Sequence, residues 1–352
     1  MSLPPVLAHD CLQATAAAHG DDRGILFHSS LDTSEFRGYG DLDRRSRAVA
    51  QALTGQGIGV GDRVVIALSP GLGWVDALFG ALYAGAAFVP TAVAGYGLPP
   101  AMVAERVVAI SRAAGAAVIV TDETLAPVLA SADIDIPIAV LSELLEAGDA
   151  DAWMPPAIDA DAIAWLFFTS GSTGDPKGVM GTHRALRATA DAAAELIAAD
   201  ETSTLVGWLP LHHAMGLMMQ VLVPAVNGGK VVLTTTEQFQ RRPMSWLQLM
   251  STHGATLTLA GNFAFDLCVK FATDAQVADL DLSTVRCFVS GSEPVRPTTV
   301  AAFAERFAST GLDPTTVAPA FGMTEAMFIT SKPLGVPYTV SHVDADRLAT
   351  GE

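Results

Sequence analysis

Short apolar runs alternate with amphipathic stretches along most of the chain, and that rhythm constrains the fold more than any other feature. Asp41 to Leu53 carries Leu42, Val49 and Leu53 among charges, the spacing of a surface helix. Gly55, Gly57, Gly59 and Gly61 end it, and Arg63 to Leu68 (RVVIAL) follows as a buried strand. Trp74 to Tyr83 reads as helix, Ala87 to Val89 as strand, Met102 to Ala114 as helix and Ala116 to Thr121 as strand. Uniformly apolar strands separated by helices imply a parallel sheet covered on both faces. Glu146 to Asp161 is acidic, proline-containing and aperiodic, and reads as a connection between two units.

The rhythm then resumes. Strands are expected at Ala162 to Phe168, Thr204 to Leu209, Val231 to Thr235, Ala255 to Leu259 and Val285 to Val289. Helices are expected at Arg184 to Ala199, Pro243 to His253, Asn262 to Ala272 and Pro297 to Ser309. The α/β class is therefore expected in two subdomains, 1–161 and 162–352. Val343 to Glu352 reads as a polar stretch with no closing element before it.

Composition removes several function classes. Half of the residues are hydrophobic and 16% are charged, so the chain can bury a core and is not disordered. Mean hydropathy is +0.38, and both Ala77 to Ala104 and Thr202 to Gly229 lack formal charge. Prolines 90, 99, 100, 210 and 224 interrupt them, so each reads as a buried helix and strand rather than a membrane span. The start, MSLPPVLAHD, lacks the basic and apolar regions of a signal peptide. A net charge of −17 argues against nucleic acid as a partner. Cys11, Cys268 and Cys287 are far apart, which fits a reducing compartment and neither a disulfide framework nor a thiolate zinc site. A cytoplasmic protein is expected.

The segment Thr169 to Gly178 (TSGSTGDPKG) carries the strongest chemical signal. It follows an apolar strand. Gly171 and Gly174 allow sharp turns that expose backbone N–H groups; Ser170, Ser172 and Thr173 add hydroxyls, and Lys177 adds a positive charge. That set suits oligophosphate oxygens. It is not a Walker A loop, because Pro176 stands where glycine is needed. Gly71-Leu-Gly73 is no dinucleotide fingerprint either, since Asp76 stands where the third glycine belongs.

FTSGSTGDPKGVM resembles the phosphate loop of the adenylate-forming superfamily, which includes acyl-CoA synthetases, peptide adenylation domains and luciferases. Phe321 to Glu325 (FGMTE) resembles its aromatic-Gly-x-Thr-Glu motif, although alone it also reads as a helix start capped by Thr324. The resemblance implies ATP in contact with Thr169, Ser170, Gly171, Ser172, Thr173, Gly174 and Lys177, adenine against Phe321, Gly322 and Met323, and Thr324 near the α-phosphate. It implies Mg²⁺ on Glu325, with Thr169 as a second candidate. An aromatic face suits a base, and a carboxylate suits a hard cation. Phe321 stands where the family usually has Tyr.

Three further stretches resemble the fatty acyl-AMP ligase branch. Gly207 to Gly216 (GWLPLHHAMG) is similar to that branch's WLPLYHDMG, with His212 for Tyr and Ala214 for Asp. It implies His213 beside the acyl tunnel and the reacting carboxylate, with Met215 nearby; a loop or core role for both histidines stays open. Ala260 to Cys268 (AGNFAFDLC) is similar to GPNFAYDLC and implies Gly261, Asn262 and Phe263 along the acyl path. Ser290 to Arg296 (SGSEPVR) is similar to NGAEPVR and implies an adenine wall from Ser292, Glu293 and Pro294.

The resemblance thus implies an acetyl-CoA synthetase-like N-terminal domain with two largely parallel sheets flanked by helices. It implies an enzyme that joins a fatty acid to AMP, with His213, Lys177 and Glu325 as catalytic groups, and hands the acyl group to a carrier-protein phosphopantetheine. Family members continue with a ribose-binding Asp and a small lysine-bearing domain, so this chain is expected to be an N-terminal portion, inactive or weak alone. A CoA-using acyl synthetase, an amino-acid adenylation domain and a non-catalytic nucleotide-binding module are the alternatives. Asp266 is the only candidate anchor for an amino-acid ammonium.

Overall fold

The computed structural model describes residues 6–93, 99–132, 134–169 and 177–351. Its strands, in chain order, are β1 (Gly24–His28), β2 (Ser34–Gly38), β3 (Arg63–Ala67), β4 (Ala87–Pro90), β5 (Val118–Thr121) and β6 (Ile138–Val140). They continue with β7 (Ile163–Thr169), β8 (Lys177–Thr182), β9 (Thr204–Gly207), β10 (Lys230–Thr234), β11 (Leu257–Ala260), β12 (Cys287–Ser290), β13 (Val317–Met323) and β14 (Met327–Ser331). Two sheets result. One has eight strands in the order β14-β13-β12-β11-β9-β10-β1-β2, the other six in the order β6-β5-β3-β4-β7-β8. Pairing is parallel inside both sheets and antiparallel at β1–β2, β13–β14 and β7–β8. Runs such as Val64, Val65, Ile66 and Ala67 are fully buried, as strands covered on both faces must be.

The boundary expected at 161/162 does not follow the sheets. Strands β7 and β8 complete the six-stranded sheet begun by β3 to β6, while β1 and β2 belong to the eight-stranded sheet with β9 to β14. The chain crosses between layers because β1 finds its parallel partner in β10, with Ile25 opposite Val231 and Phe27 opposite Leu233. A buried ionic knot ties the layers near this crossing. Asp76, fully buried in the helix Leu72–Tyr83, meets Arg45 at 2.9 Å and Arg37 of β2 at 3.4 Å.

Most expected helices appear within a few residues of their expected ends, at Tyr39–Gly55, Leu72–Tyr83, Pro100–Ala114, His183–Ile197, Met244–His253, Asn262–Phe271 and Pro297–Arg306. Thr182 caps the helix His183–Ile197, its hydroxyl accepting the Ala185 N–H at 3.1 Å. The polar end differs from expectation: Ala345–Thr350 is a short helix capped by Asp344, whose carboxylate accepts N–H groups of Asp346 and Arg347. FGMTE is likewise not a helix start, since Phe321 to Met323 end strand β13. No helix among the described residues is long and apolar enough to cross a membrane. All three cysteines are buried free thiols.

Candidate active site

A cavity of about 320 Å³ opens at the carboxyl ends of β12 and β13, where parallel α/β sheets characteristically bind ligands. Its walls come from three places: the segment His213 to Met219, the end of β12 with Gly291 and Ser292, and the hairpin Ala320 to Phe328. Depth follows burial. Met218, Met219 and Val289 form a floor at most 4% exposed, whereas Phe321 (59%) and Met323 (47%) stand at the mouth.

The hairpin owes its shape to glycine. A Cβ on Gly322 would lie 2.3 Å from the carbonyl oxygen of Met327, so only glycine lets the two strands approach here. The register shifts between Phe321 and Gly322, which turns Phe321 outward, and the Ala326 N–H closes the tip onto the Met323 carbonyl at 3.1 Å. Thr324 and Glu325 occupy that tip and line the cavity. Among the described residues the Glu325 carboxylate makes no ion pair. Of the three described non-glycine residues with positive φ, two, Ser292 (64°) and Met327 (55°), belong to this cavity. Such strain concentrates where a site must hold a fixed shape.

His213 caps the short helix Ala214–Leu217, its Nδ1 accepting the Met215 N–H at 3.3 Å. The cavity walls hold its pKa below the usual histidine value by desolvation. His212 faces a second cavity, between the two sheets, together with Arg106. Burial first, then the charges of Arg106 and His213, lowers His212 to about 4, so it is neutral at pH 7. The Ser292 hydroxyl lies 2.9 Å from the Met215 sulfur, bridging the β12 wall to the histidine segment.

Several expected site residues lie outside this cavity's lining. Asn262 is 3% exposed and turned inward: its amide nitrogen donates to Thr299 Oγ1 at 3.2 Å and its oxygen accepts the Arg296 N–H at 2.9 Å. Asn262 thus holds the end of SGSEPVR in place and is not among the residues lining this cavity. Phe263 packs edge-on against Trp208 and Phe239, outside the cavity lining. Glu293 accepts the Phe263 N–H at 2.7 Å, and a Cβ on Gly261 would lie 2.8 Å from the same carboxylate. Of the expected adenine wall, Ser292 lines the cavity and Glu293 and Pro294 do not. Asp266 sits 3.4 Å from the Asn262 amide and is also outside the lining.

Thr169 pairs with Lys177 across β7 and β8, and Lys177 is exposed. Ser170, Gly171, Ser172, Thr173 and Gly174 lie outside the described residues. The cavity also contains Met218, Met219, Met327 and Phe328, which motif reading did not single out. The spacing of Met215, Met218 and Met219, at i, i+3 and i+4, was the available signal of one apolar face.

This chain belongs to the AMP-binding enzyme family, whose model matches residues 12–346. It is 34% identical over 305 residues to a 4-hydroxyphenylalkanoate adenylyltransferase of Mycobacterium tuberculosis, which covers 83% of this chain and 48% of that protein. A long-chain-fatty-acid–AMP ligase of Mycobacterium bovis is 35% identical over 303 residues, covering 83% and 51%. The fold matches the crystal structure of a fatty acyl-adenylate ligase from L. pneumophila in complex with acyl adenylate and pyrophosphate, with a TM-score of 0.87 and 28% identity over 95% of this chain and 58% of that one. The chain spans about half the length of the curated relatives it matches.

Proposed function

We propose that this chain forms the acid- and nucleotide-binding part of a fatty acyl-AMP ligase. The observation that carries the reading is one cavity with a methionine-rich apolar floor and a mouth made of Phe321, Thr324 and Glu325. In this reading the fatty acid carboxylate attacks the α-phosphorus of ATP, the bond to the β-phosphate oxygen breaks, and pyrophosphate leaves. The substrate supplies its own nucleophile. Phe321 offers its exposed face to adenine, and His213, neutral at pH 7, orients the carboxylate without protonating it. Lys177 and the loop before it meet phosphate charge.

Magnesium fits the site by donor chemistry. Glu325 gives a hard carboxylate oxygen that makes no ion pair among the described residues, and the Thr169 hydroxyl remains a second candidate by sequence. When bound, the ion neutralises phosphate charge. Transfer of the acyl group to an acyl carrier protein, and a cytoplasmic location, belong to the same proposal; the buried free thiols agree with the latter. CoA as acceptor is the nearest alternative. An amino-acid substrate is disfavoured because Asp266 faces Asn262 rather than the cavity.

In the complete ligase of which this chain is proposed to be part, ATP–pyrophosphate exchange is expected to depend on added fatty acid, with dodecanoate far more effective than acetate or phenylalanine. Exchange supported by an amino acid and not by fatty acids would overturn the reading.

A further inference from the structure

We propose that Gln220 is a positioning residue that sets the catalytic segment Leu209 to His213 from beneath. This inference rests on the adenylation reading for its kinetic arm only. Gln220 is fully buried, and both ends of its amide meet one residue: Oε1 accepts the Leu209 N–H at 3.0 Å and Nε2 donates to the Leu209 carbonyl at 2.9 Å. Two bonds to the N–H and C=O of one residue act like a rung of sheet and fix its orientation as well as its distance. Leu209 follows the end of β9, where the ladder has run out and its backbone groups have no strand partner.

Two backbone features make this clamp possible. Met218–Leu222 is π-helical, an insertion that alters which side chains face inward and that occurs often at functional sites. Gly207 supplies the space, since a Cβ there would lie 2.0 Å from Gln220 Oε1. The clamped segment then folds onto itself. The His213 N–H donates to the Pro210 carbonyl at 3.1 Å, and Gly216 packs so close to that carbonyl that a Cβ would lie 2.3 Å away. His213 therefore takes its position from Pro210, and Pro210 from Leu209. The flanking Met218 and Met219 are the floor of the cavity that His213 borders. Gln220 is not among the residues lining that cavity and acts through its neighbours.

The test uses two variants of the complete ligase: Gln220→Met, which keeps volume and removes both hydrogen bonds, and Gly207→Ala, whose Cβ would displace the amide. Fatty-acid-dependent pyrophosphate exchange by Gln220→Met is expected to fall about ten- to a hundredfold in kcat, the scale of a small misplacement of a reacting group, with KM for ATP changed less than about twofold. In a His213→Ala background the same substitution should then change kcat less than about twofold, because the residue it positions is gone. Equal losses in both backgrounds would overturn the proposal. A separate arm needs no turnover: the NMR titration of the His213 imidazole should move toward the ordinary histidine value in both clamp variants. An unchanged titration would overturn the positioning role. Absence of exchange in the complete parent ligase, with a shifted titration in the variants, would count against the adenylation reading alone and leave the clamp supported.

Discussion

In the complete ligase, Glu325→Gln is expected to lower fatty-acid-dependent pyrophosphate exchange by about a hundred- to a thousandfold, because the cation that Glu325 would hold against the phosphates is one preorganised group meeting transition-state charge. Glutamine keeps the shape of the side chain and removes its charge. Glu325 sits at an exposed hairpin tip and makes no ion pair among the described residues, so its replacement leaves the fold intact, within about 0.5 kcal/mol. The loss should therefore appear in the magnesium dependence rather than in the urea midpoint. Exchange at the parent rate with the parent's magnesium requirement would show that Glu325 only shapes the hairpin.

Acidification from pH 7 to 4 is expected to remove roughly 3 kcal/mol of stability through His183 alone, taking about 1.4 kcal/mol for each unit of pKa displacement. His183 is 0% exposed and neither ring nitrogen has a described hydrogen-bond partner. Burial first, and then the nearby His9, lowers its pKa from 6.5 to about 4. Between those values the unfolded chain carries a proton there that the folded chain does not, so stability rises with pH. The contribution is whole above pH 6.5 and is lost as the pH falls toward 4. His212, also lowered to about 4, adds to the loss in the same window. Urea unfolding of His183→Leu should show a distinctly shallower decline between pH 7 and 4.5. A decline as steep as the parent's would mean that His183 is not the buried neutral group described.

What was legible in the sequence divides along physical lines. Strands β3, β5, β7, β10 and β12 announce themselves because both faces are buried, which forces a run of apolar residues. The hairpin β1–β2 stayed hidden. Residues 34–36 of β2 are exposed, and β1 finds its parallel partner in β10, about two hundred residues away, a pairing that no local pattern encodes. That pairing and the pairing of β4 with β7 together explain why the sheets do not divide at 161/162: β1 and β2 join the later strands, and β7 and β8 the earlier ones.

The site shows the same split. Phe321, Thr324, Glu325, His213, Met215 and Ser292 were legible as motif residues, and all six line one cavity. Their hairpin was not legible, because the reason for Gly322 is the carbonyl of Met327 passing beneath it. The surroundings of Asn262 were hidden for a related reason. Two of its partners, Thr299 and the Arg296 N–H, are distant in sequence, and no local pattern announces them. Gln220 had no motif at all. Its role exists only because the π-helical turn and Gly207 bring it to Leu209.

The central claim is that an apolar acyl chain and an adenylate share the cavity between His213 and Glu325. Calorimetric binding of a non-reactive acyl-adenylate series, with a sulfamate in place of the phosphate, tests it without requiring turnover. Each methylene taken from water contributes about 0.8 kcal/mol, so affinity should rise about three- to fourfold per methylene until the chain fills the space available. Dodecanoyl sulfamoyladenosine is expected to bind far more tightly than the acetyl compound or AMP, and to be competed by neither at equal concentration. Equal affinity for AMP and the dodecanoyl compound would contradict the claim, because the methionine floor would then contribute nothing to binding.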